Sequence, residues 1–404
     1  MRDQNFIVRE PLLDPSQRVL GYELFWQQTG NGADNASEES AQELIDFVAE
    51  QLTSSDMRWN GNGLLFMDAT PALLSCPALQ LLPAKNTVLT LTMKSLADET
   101  ILTAVNSLRE QGFGISLRNA HSRTPDKALL SRVTHIEVRC GAADISSLAR
   151  TYAALKGAPS VRMVARNVSD WVEYDSCVSL GLDTFVGKLH LTPRPDSKPK
   201  GMSPSQGIIL QIMDLVRKNA DVRQLEGILK NDAALTYKLL RYINSVGFGV
   251  MTEVKSLRHA VAIIGYSSLY RWLSLLLATA STSGNAAVLM QTAIIRGRFA
   301  ELLGQNVLPQ SQVENLFVTG LFSLLDRLLG ISMDDVMEHV QLPDDVSQAL
   351  ISRDGVYGPF LALAEACELR NGLTGALVDS VGLTPRQVNE AHLAALAWAQ
   401  TLQV

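Results

Sequence analysis

Along residues 1–190, short apolar runs alternate with stretches whose apolar side chains recur at helical spacing. The runs predict strands at Phe6–Arg9, Val19–Trp26, Gly63–Asp68, Val88–Met93, Gly114–Leu117, His135–Val138, Val161–Ala165 and Thr184–Val186. Between them, helices are predicted at Ser37–Gln51, Pro71–Leu74, Ser95–Gln111, Asp126–Ser131, Ile145–Leu155 and Ser169–Leu180. Strands that alternate with helices in this way close into a (β/α) barrel of the TIM type.

The rhythm changes at Leu191–Ser205, where Pro193, Pro195, Pro199 and Pro204 stand among polar residues. Such a stretch reads as an extended linker between domains. From Gln206 to the end the apolar spacing is helical almost throughout. Ile208, Ile212, Leu215 and Val216 open this half, followed by Val222, Leu225 and Leu229 behind an Asp221 cap. Further helices are predicted at Asn285–Leu303, Val313–Leu329, Met333–His339, Asp345–Ile351, Pro359–Leu369 and Pro385–Leu402. The expected organisation is therefore an α/β barrel over 1–190, a linker over 191–205 and an all-α domain over 206–404.

Asn231–Ala280 predicts three helices joined by tight glycine turns. Asp232 heads the first, with Leu235, Leu239, Tyr242 and Ile243 on one face. Ser256 caps the second, where Leu257, Ala260, Val261 and Ile264 follow before a stop at Gly265. Ser267 or Ser268 starts the third, with Leu269, Trp272, Leu273 and Leu276 facing inward. A DNA-reading helix-turn-helix would need cationic and polar side chains on the second member of a pair. Arg271 is the only cation between Ser267 and Ala280, so the stretch reads as packing helices. Trp272 reads as core on the same grounds, and Tyr266 at the turn as more open.

Composition narrows the class. Apolar residues make up 47% of the 404 and charged ones 19%, as in well-buried globular domains. A formal charge of −6 argues against nucleic acid or an anionic membrane as the main partner. Cys76, Cys140, Cys177 and Cys367 are scattered with no C-x-x-C, which suits reduced, mostly buried thiols in a cytoplasmic protein. MRDQNFIVREPLL has no apolar core of a signal peptide, and the Leu269–Ala280 run is too short to span a bilayer.

NSVGFG followed by SLRHAVAIIGYSSLYRWL, then TGLFSLLDRLLG (Thr319–Gly330) and RDGVYGPFLALAEACE (Arg353–Glu368), resembles the HDOD domain, an all-helical relative of the HD phosphohydrolases. In the first half, REPLLDPSQRVLGYELF, LLFMDATPALL, GFGISLRN and GLDTFVGKL, in that order, resemble the EAL domain, a barrel phosphodiesterase that cleaves cyclic di-GMP with two metal ions. That chemistry needs carboxylates converging at the strand ends to hold two cations and activate a water. The resemblance places the family's name-giving glutamate on Glu23 and its strand-end asparagine on Asp68. The phosphate-binding arginine falls on Gln27, the next metal glutamate on Thr90 and the acid after it on Met93. Arg118 and Asn119 stand at the paired aspartates, Glu137 and Arg139 at the lysine and aspartate of the K-I-D motif. The late glutamate falls on Ser169 and the glutamine near the last strand on Val186.

With cations at metal positions, Arg118 and Arg139 are expected to pair with Glu23, Asp68 or Glu137. HD hydrolysis needs a His-Asp dipeptide, and none of His121, His135, His190, His259, His339 and His392 is followed by Asp. His259 beside Arg258 reads as a surface or capping residue, and Asp326–Arg327 as a buried or interdomain pair. No G-x-S-x-G, phosphate-binding loop or G-x-G-x-x-G opens a helix. The expectation is a non-catalytic signalling protein with no cofactor. It would act on other signalling proteins, with room for a homodimer, and bind neither nucleic acid, membrane nor, tightly, cyclic di-GMP. The resemblance implies association with cyclic di-GMP networks, motility and surface behaviour. The alternatives are a residual phosphodiesterase using Glu23 and Asp68, and a sensor holding a nucleotide or small anion through Arg118 or Arg139.

Overall fold

The computed structural model describes residues 5–27, 37–53, 59, 62–118, 127–140, 149, 152–153, 161–195, 202–229, 237, 254, 256–280, 286–305, 307–340, 342–369 and 373–402. The chain divides into two compact units, Met1–Arg194 and Pro195–Val404.

In the first unit eight strands close into a barrel in chain order: β1 (Phe6–Leu13), β2 (Val19–Gln27), β3 (Leu64–Asp68), β4 (Thr87–Thr92), β5 (Gly114–Arg118), β6 (His135–Arg139), β7 (Arg162–Arg166) and β8 (Thr184–Val186). All eight predicted strands are present. β1 runs antiparallel to β2 and β8, and every other pairing is parallel. The turn chemistry explains β1. Asp14 Oδ1 accepts from the N–H groups of Ser16 and Arg18, and Gln17 takes a φ of 59°, so the chain reverses at once. So short a connection permits only an antiparallel return. Gly21 lets β2 lie against β3, because a Cβ there would fall 2.1 Å from the carbonyl oxygen of Leu64.

Leu12, Phe66, Val88, Val164 and Val186 fill the barrel interior. Outside it lie α1 (Glu38–Thr53), α2 (Glu99–Gln111), α3 (Lys127–Leu130) and α4 (Trp171–Leu180). The helix expected over Ser95–Gln111 is split: Met93–Ala97 is a 3₁₀ turn, and Asp98, extended, caps α2 by accepting from the Thr100 N–H. Pro71–Ser75 is likewise 3₁₀. Most of the predicted Ile145–Leu155 helix lies outside the described residues.

The second unit is helical: α5 (Pro204–Arg217), α6 (Val222–Leu229), α7 (Leu257–Thr279), α8 (Ala286–Gly304), α9 (Gln310–Phe322), α10 (Leu325–Leu329), α11 (Met333–His339), α12 (Asp344–Ser352), α13 (Gly358–Ala366), α14 (Thr374–Val381) and α15 (Pro385–Thr401). Pro204 and Ser205, expected in the linker, are instead the first residues of α5. Ser203 and Gln206 form a reciprocal capping box, and proline suits the first helical position. The buried face of α5 is Ile209, Ile212, Met213 and Val216, with Ile208 half-buried at its edge.

Of the first helix expected after Asp232, only Tyr237, helical and exposed, is among the described residues. The next two form α7, which breaks at Gly265 with φ 74° and ψ 176°, a conformation open essentially to glycine. Ser256 caps the start, accepting from the His259 N–H, and Leu269, Trp272, Leu273 and Leu276 are buried. The predicted Val313–Leu329 helix breaks between Phe322 and Leu325, where the Ser323 hydroxyl donates to the Gly320 carbonyl. The short α14 was not predicted. Among the described residues no helix is long and apolar enough to cross a membrane.

Candidate functional site in the mouth of the barrel

Parallel strands deliver their last residues to one end of a barrel, and inward positions recur every second residue. Here the apolar interior gives way at that end to a charged layer built by Glu23 on β2, Asp68 on β3, Thr90 on β4, Ser116 and Arg118 on β5, Glu137 on β6 and Arg166 on β7.

Arg118 is the hub. Its Nε donates to Glu137 Oε2 at 2.8 Å, Nη1 to Asp68 Oδ2 at 2.8 Å and Nη2 to Glu23 Oε1 at 3.0 Å. Arg166 completes the cluster: Nη2 donates to Glu23 Oε1 and, at 3.2 Å, to Glu137 Oε1, while Nε lies 2.7 Å from Glu137 Oε2. Glu137 also accepts from the hydroxyls of Thr90 at 3.4 Å and Ser116 at 3.3 Å. Two guanidiniums thus hold three carboxylates, nearly all of it out of water; the Glu137 side chain is 1% exposed and Asp68, at the rim, 22%.

The charges follow from this geometry. Burial works to raise the Glu137 carboxyl, but Arg166 and Arg118 overcome it and hold the group below the ordinary carboxylate range. Burial raises Asp68, with Glu23 adding to the effect against the pull of Arg118. Burial also opposes the charge on Arg118 and Arg166, yet the neighbouring carboxylates keep both more firmly protonated than usual. One layer deeper, His135 sits edge-on to Phe66 at 5.0 Å. Burial, then Arg162, drives its imidazole down to about 4.

The predicted site residues divide accordingly. Glu23, Asp68, Thr90, Arg118 and Glu137 meet in one cluster, whereas Gln27 is buried at the end of β2 and Asn119 lies outside the described residues. Met93 opens the 3₁₀ turn after β4, Ser169 binds Glu173 Oε2 through its N–H and hydroxyl, and Val186 belongs to the apolar interior. Arg139 was expected, with Arg118, to pair with Glu23, Asp68 or Glu137; Arg166 joins Arg118 in the cluster, and Arg139 ends β6 half-buried, in register with Arg166. Arg166 is readable from its strand, RMVAR, because Val164 fills the barrel and the residue two further on shares its face.

Two divalent cations do not fit among these residues. The guanidinium nitrogens already occupy the space where the carboxylates converge. A divalent ion about 4 Å from one guanidinium is repelled by roughly 8 kcal/mol at an effective dielectric near 20. No group of three or more His, Cys, Asp or Glu among the described residues is arranged to hold a metal.

In the helical unit, buried Arg296 donates to Glu368 Oε1 at 3.1 Å, Glu365 Oε1 at 3.0 Å and the Ser323 hydroxyl at 2.7 Å. Arg271, the cation that would have faced nucleic acid, is engaged by Glu301 and lies over the Phe317 ring at 3.9 Å. His392 stacks on Phe299 in the core. Tyr266 is half-buried, and its hydroxyl donates to the Ala220 carbonyl at 2.5 Å.

An eight-stranded barrel with an acid–guanidinium cluster at its mouth, followed by a helical unit, defines the class. Residues 202–340 match the HDOD domain. The chain is an eight-stranded barrel followed by a helical unit that carries the HDOD match. It is 22% identical over 413 residues to the uncharacterised protein YuxH of Bacillus subtilis, covering 98% of each chain. It is 23% identical over 402 residues to the cyclic di-GMP phosphodiesterase CdgJ of Vibrio cholerae, covering 98% of this chain and 93% of that one. Among solved structures, the PaMucR phosphodiesterase in complex with cyclic di-GMP matches 48% of this chain and 93% of its own, at 15% identity and a TM-score of 0.37. BlrP1 of Klebsiella pneumoniae, with calcium and cyclic di-GMP, matches 46% and 54% at 16% identity and the same score.

Proposed function

We propose that this protein is a non-catalytic component of cyclic di-GMP signalling that acts by binding other signalling proteins in the cytoplasm. One observation carries the reading: Arg118 and Arg166 occupy the convergence point of Glu23, Asp68 and Glu137. Metal-assisted hydrolysis of a phosphodiester needs cations that polarise phosphoryl oxygen and lower the pKa of a bound water. A guanidinium has no vacant orbital for water and stays protonated, so it cannot activate a bound water, and the donors it could aim at a phosphoryl oxygen are engaged by Glu23, Asp68 and Glu137. The barrel, released from chemistry, serves as a rigid platform, and the HDOD domain presents a second surface. The resemblance noted in the sequence implies an output in motility or surface behaviour.

Isothermal titration of the full chain with cyclic di-GMP and Mg²⁺ or Mn²⁺, paired with product analysis, tests the reading. Neither binding in the micromolar range nor turnover is expected, and either one overturns it. Affinity capture from a bacterial lysate should enrich a defined signalling protein on the full chain; an empty capture counts against the scaffold role.

A second reading, a residual phosphodiesterase or nucleotide sensor, draws on the name of the full-length relative CdgJ, a cyclic di-GMP phosphodiesterase. It requires Arg118 or Arg166 to swing out of the cluster. Turnover that rises with Mn²⁺ in the same assay is its signature.

A further inference from the structure

Two of the four thiols meet. Cys140 follows β6 directly and its N–H donates to the Arg166 carbonyl at 2.8 Å. Cys177 lies on α4, whose C-terminus turns at Gly181. Their Sγ atoms are 3.6 Å apart, and both side chains are buried. A disulfide has an S–S length of about 2.05 Å, so the sulfurs must close by about 1.5 Å.

We propose that Cys140 and Cys177 form a reversible redox pair, reduced at rest and oxidised by hydroperoxide to a disulfide that ties the end of β6 to α4. The step balances in two stages. One thiolate attacks the peroxide oxygen and breaks the O–O bond, leaving a sulfenic acid and, after proton uptake, one water. The second thiol attacks the sulfenic sulfur, forming the S–S bond and expelling the hydroxyl as a second water. The two thiols lose two electrons and the peroxide is reduced to two waters.

Three features favour this pair. A sulfenic acid formed on either residue faces its resolving thiol at contact distance, so further oxidation is outrun by closure. The two thiols share one hydrogen bond in which either sulfur can donate, and the accepting sulfur is the one whose thiolate is favoured, so either residue can serve as the attacking sulfur. Burial keeps bulky disulfides out while a molecule the size of hydrogen peroxide enters on local opening. Oxidation also reports to the charged mouth, because the Cys140 backbone is bonded to the Arg166 backbone.

The test is peroxide titration of the full chain, followed by intact mass and peptide mapping without reduction. The expected result is the loss of two hydrogens, a peptide joining Cys140 to Cys177 that dithiothreitol releases, and a melting temperature several degrees higher in the oxidised form. In Cys177→Ser the cross-linked peptide disappears, and Cys140 stays a thiol or advances to a sulfinic acid. Cys76, which is half-buried, serves as the internal control. If Cys76 is oxidised while Cys140 and Cys177 remain thiols in the wild-type protein, the proposal is overturned.

Discussion

Arg118 and Arg166 donate through their Nη2 atoms to one and the same oxygen, Glu23 Oε1. Two like charges brought this close are tolerable only because Glu137 and Asp68 complete the neutralisation. The cluster therefore behaves as a unit, and its members cannot be removed singly without leaving a buried charge exposed to its neighbours.

Glu137 is the member bound by both arginines and by two hydroxyls. Glu137→Ala leaves two guanidiniums facing each other and strands the Thr90 and Ser116 hydroxyls. Urea unfolding should show a loss of about 3–5 kcal/mol, the range for breaking a buried ion pair from one side. A loss below about 1 kcal/mol would mean that the cluster is solvated.

The three carboxylates themselves are arranged around whatever cation occupies their centre. In the double variant Arg118→Ala, Arg166→Ala they face one another with no counter-charge. Millimolar Mg²⁺ or Mn²⁺ should then raise the melting temperature of the variant by several degrees and leave that of the wild type unchanged. An equal response of both proteins would show that the guanidiniums do not occupy the cation position.

His135 makes the barrel sensitive to mild acid. Its value falls from about 6.5 in the unfolded chain to about 4 in the folded one, so between these limits the unfolded state binds the additional proton. The stabilisation is fully present above about pH 6.5 and is lost as the pH falls toward 4, amounting to about 3 kcal/mol. His135→Gln should flatten the unfolding free energy across that window relative to wild type. Asp68 contributes with the opposite sign in both proteins and cancels in the comparison.

Much of this was legible in the residues alone. The eight strands follow from short continuous apolar runs, since a barrel wall must be apolar on two faces for most of its length. The helix breaks at Asp98 and Ser323 were not, because apolar spacing continues across them and only a side chain bonded to backbone reveals the turn. That Glu23, Asp68, Thr90, Arg118 and Glu137 lie together was an expectation from the resemblance alone, since they sit on five different strands. Arg166 was missed because the family resemblance assigns no role to its position, whereas the period of two puts it on the inward face of its strand with Val164. The Cys140–Cys177 contact joins residues 37 apart on a strand end and a helix, and no local pattern encodes such a meeting.

In the helical unit, Gly297 on α8 and Gly320 on α9 allow the two backbones to touch. A Cβ on Gly320 would lie 2.6 Å from the Gly297 Cα and 2.7 Å from the Arg296 carbonyl oxygen. Neither neighbour is a flexible side chain that can move aside, so Gly320→Ala must push the helices apart. The same crossing holds Arg296 against Ser323, three residues beyond Gly320. Separation therefore loosens the bond from the Arg296 guanidinium to the Ser323 hydroxyl along with the apolar packing. Chemical denaturation of Gly320→Ala should show a loss of about 1–3 kcal/mol from overpacking. Gly227→Ala, on α6 where an added Cβ meets nothing within 4 Å, should be neutral or slightly stabilising. Equal stability of the two variants would show that α8 and α9 do not cross at these glycines.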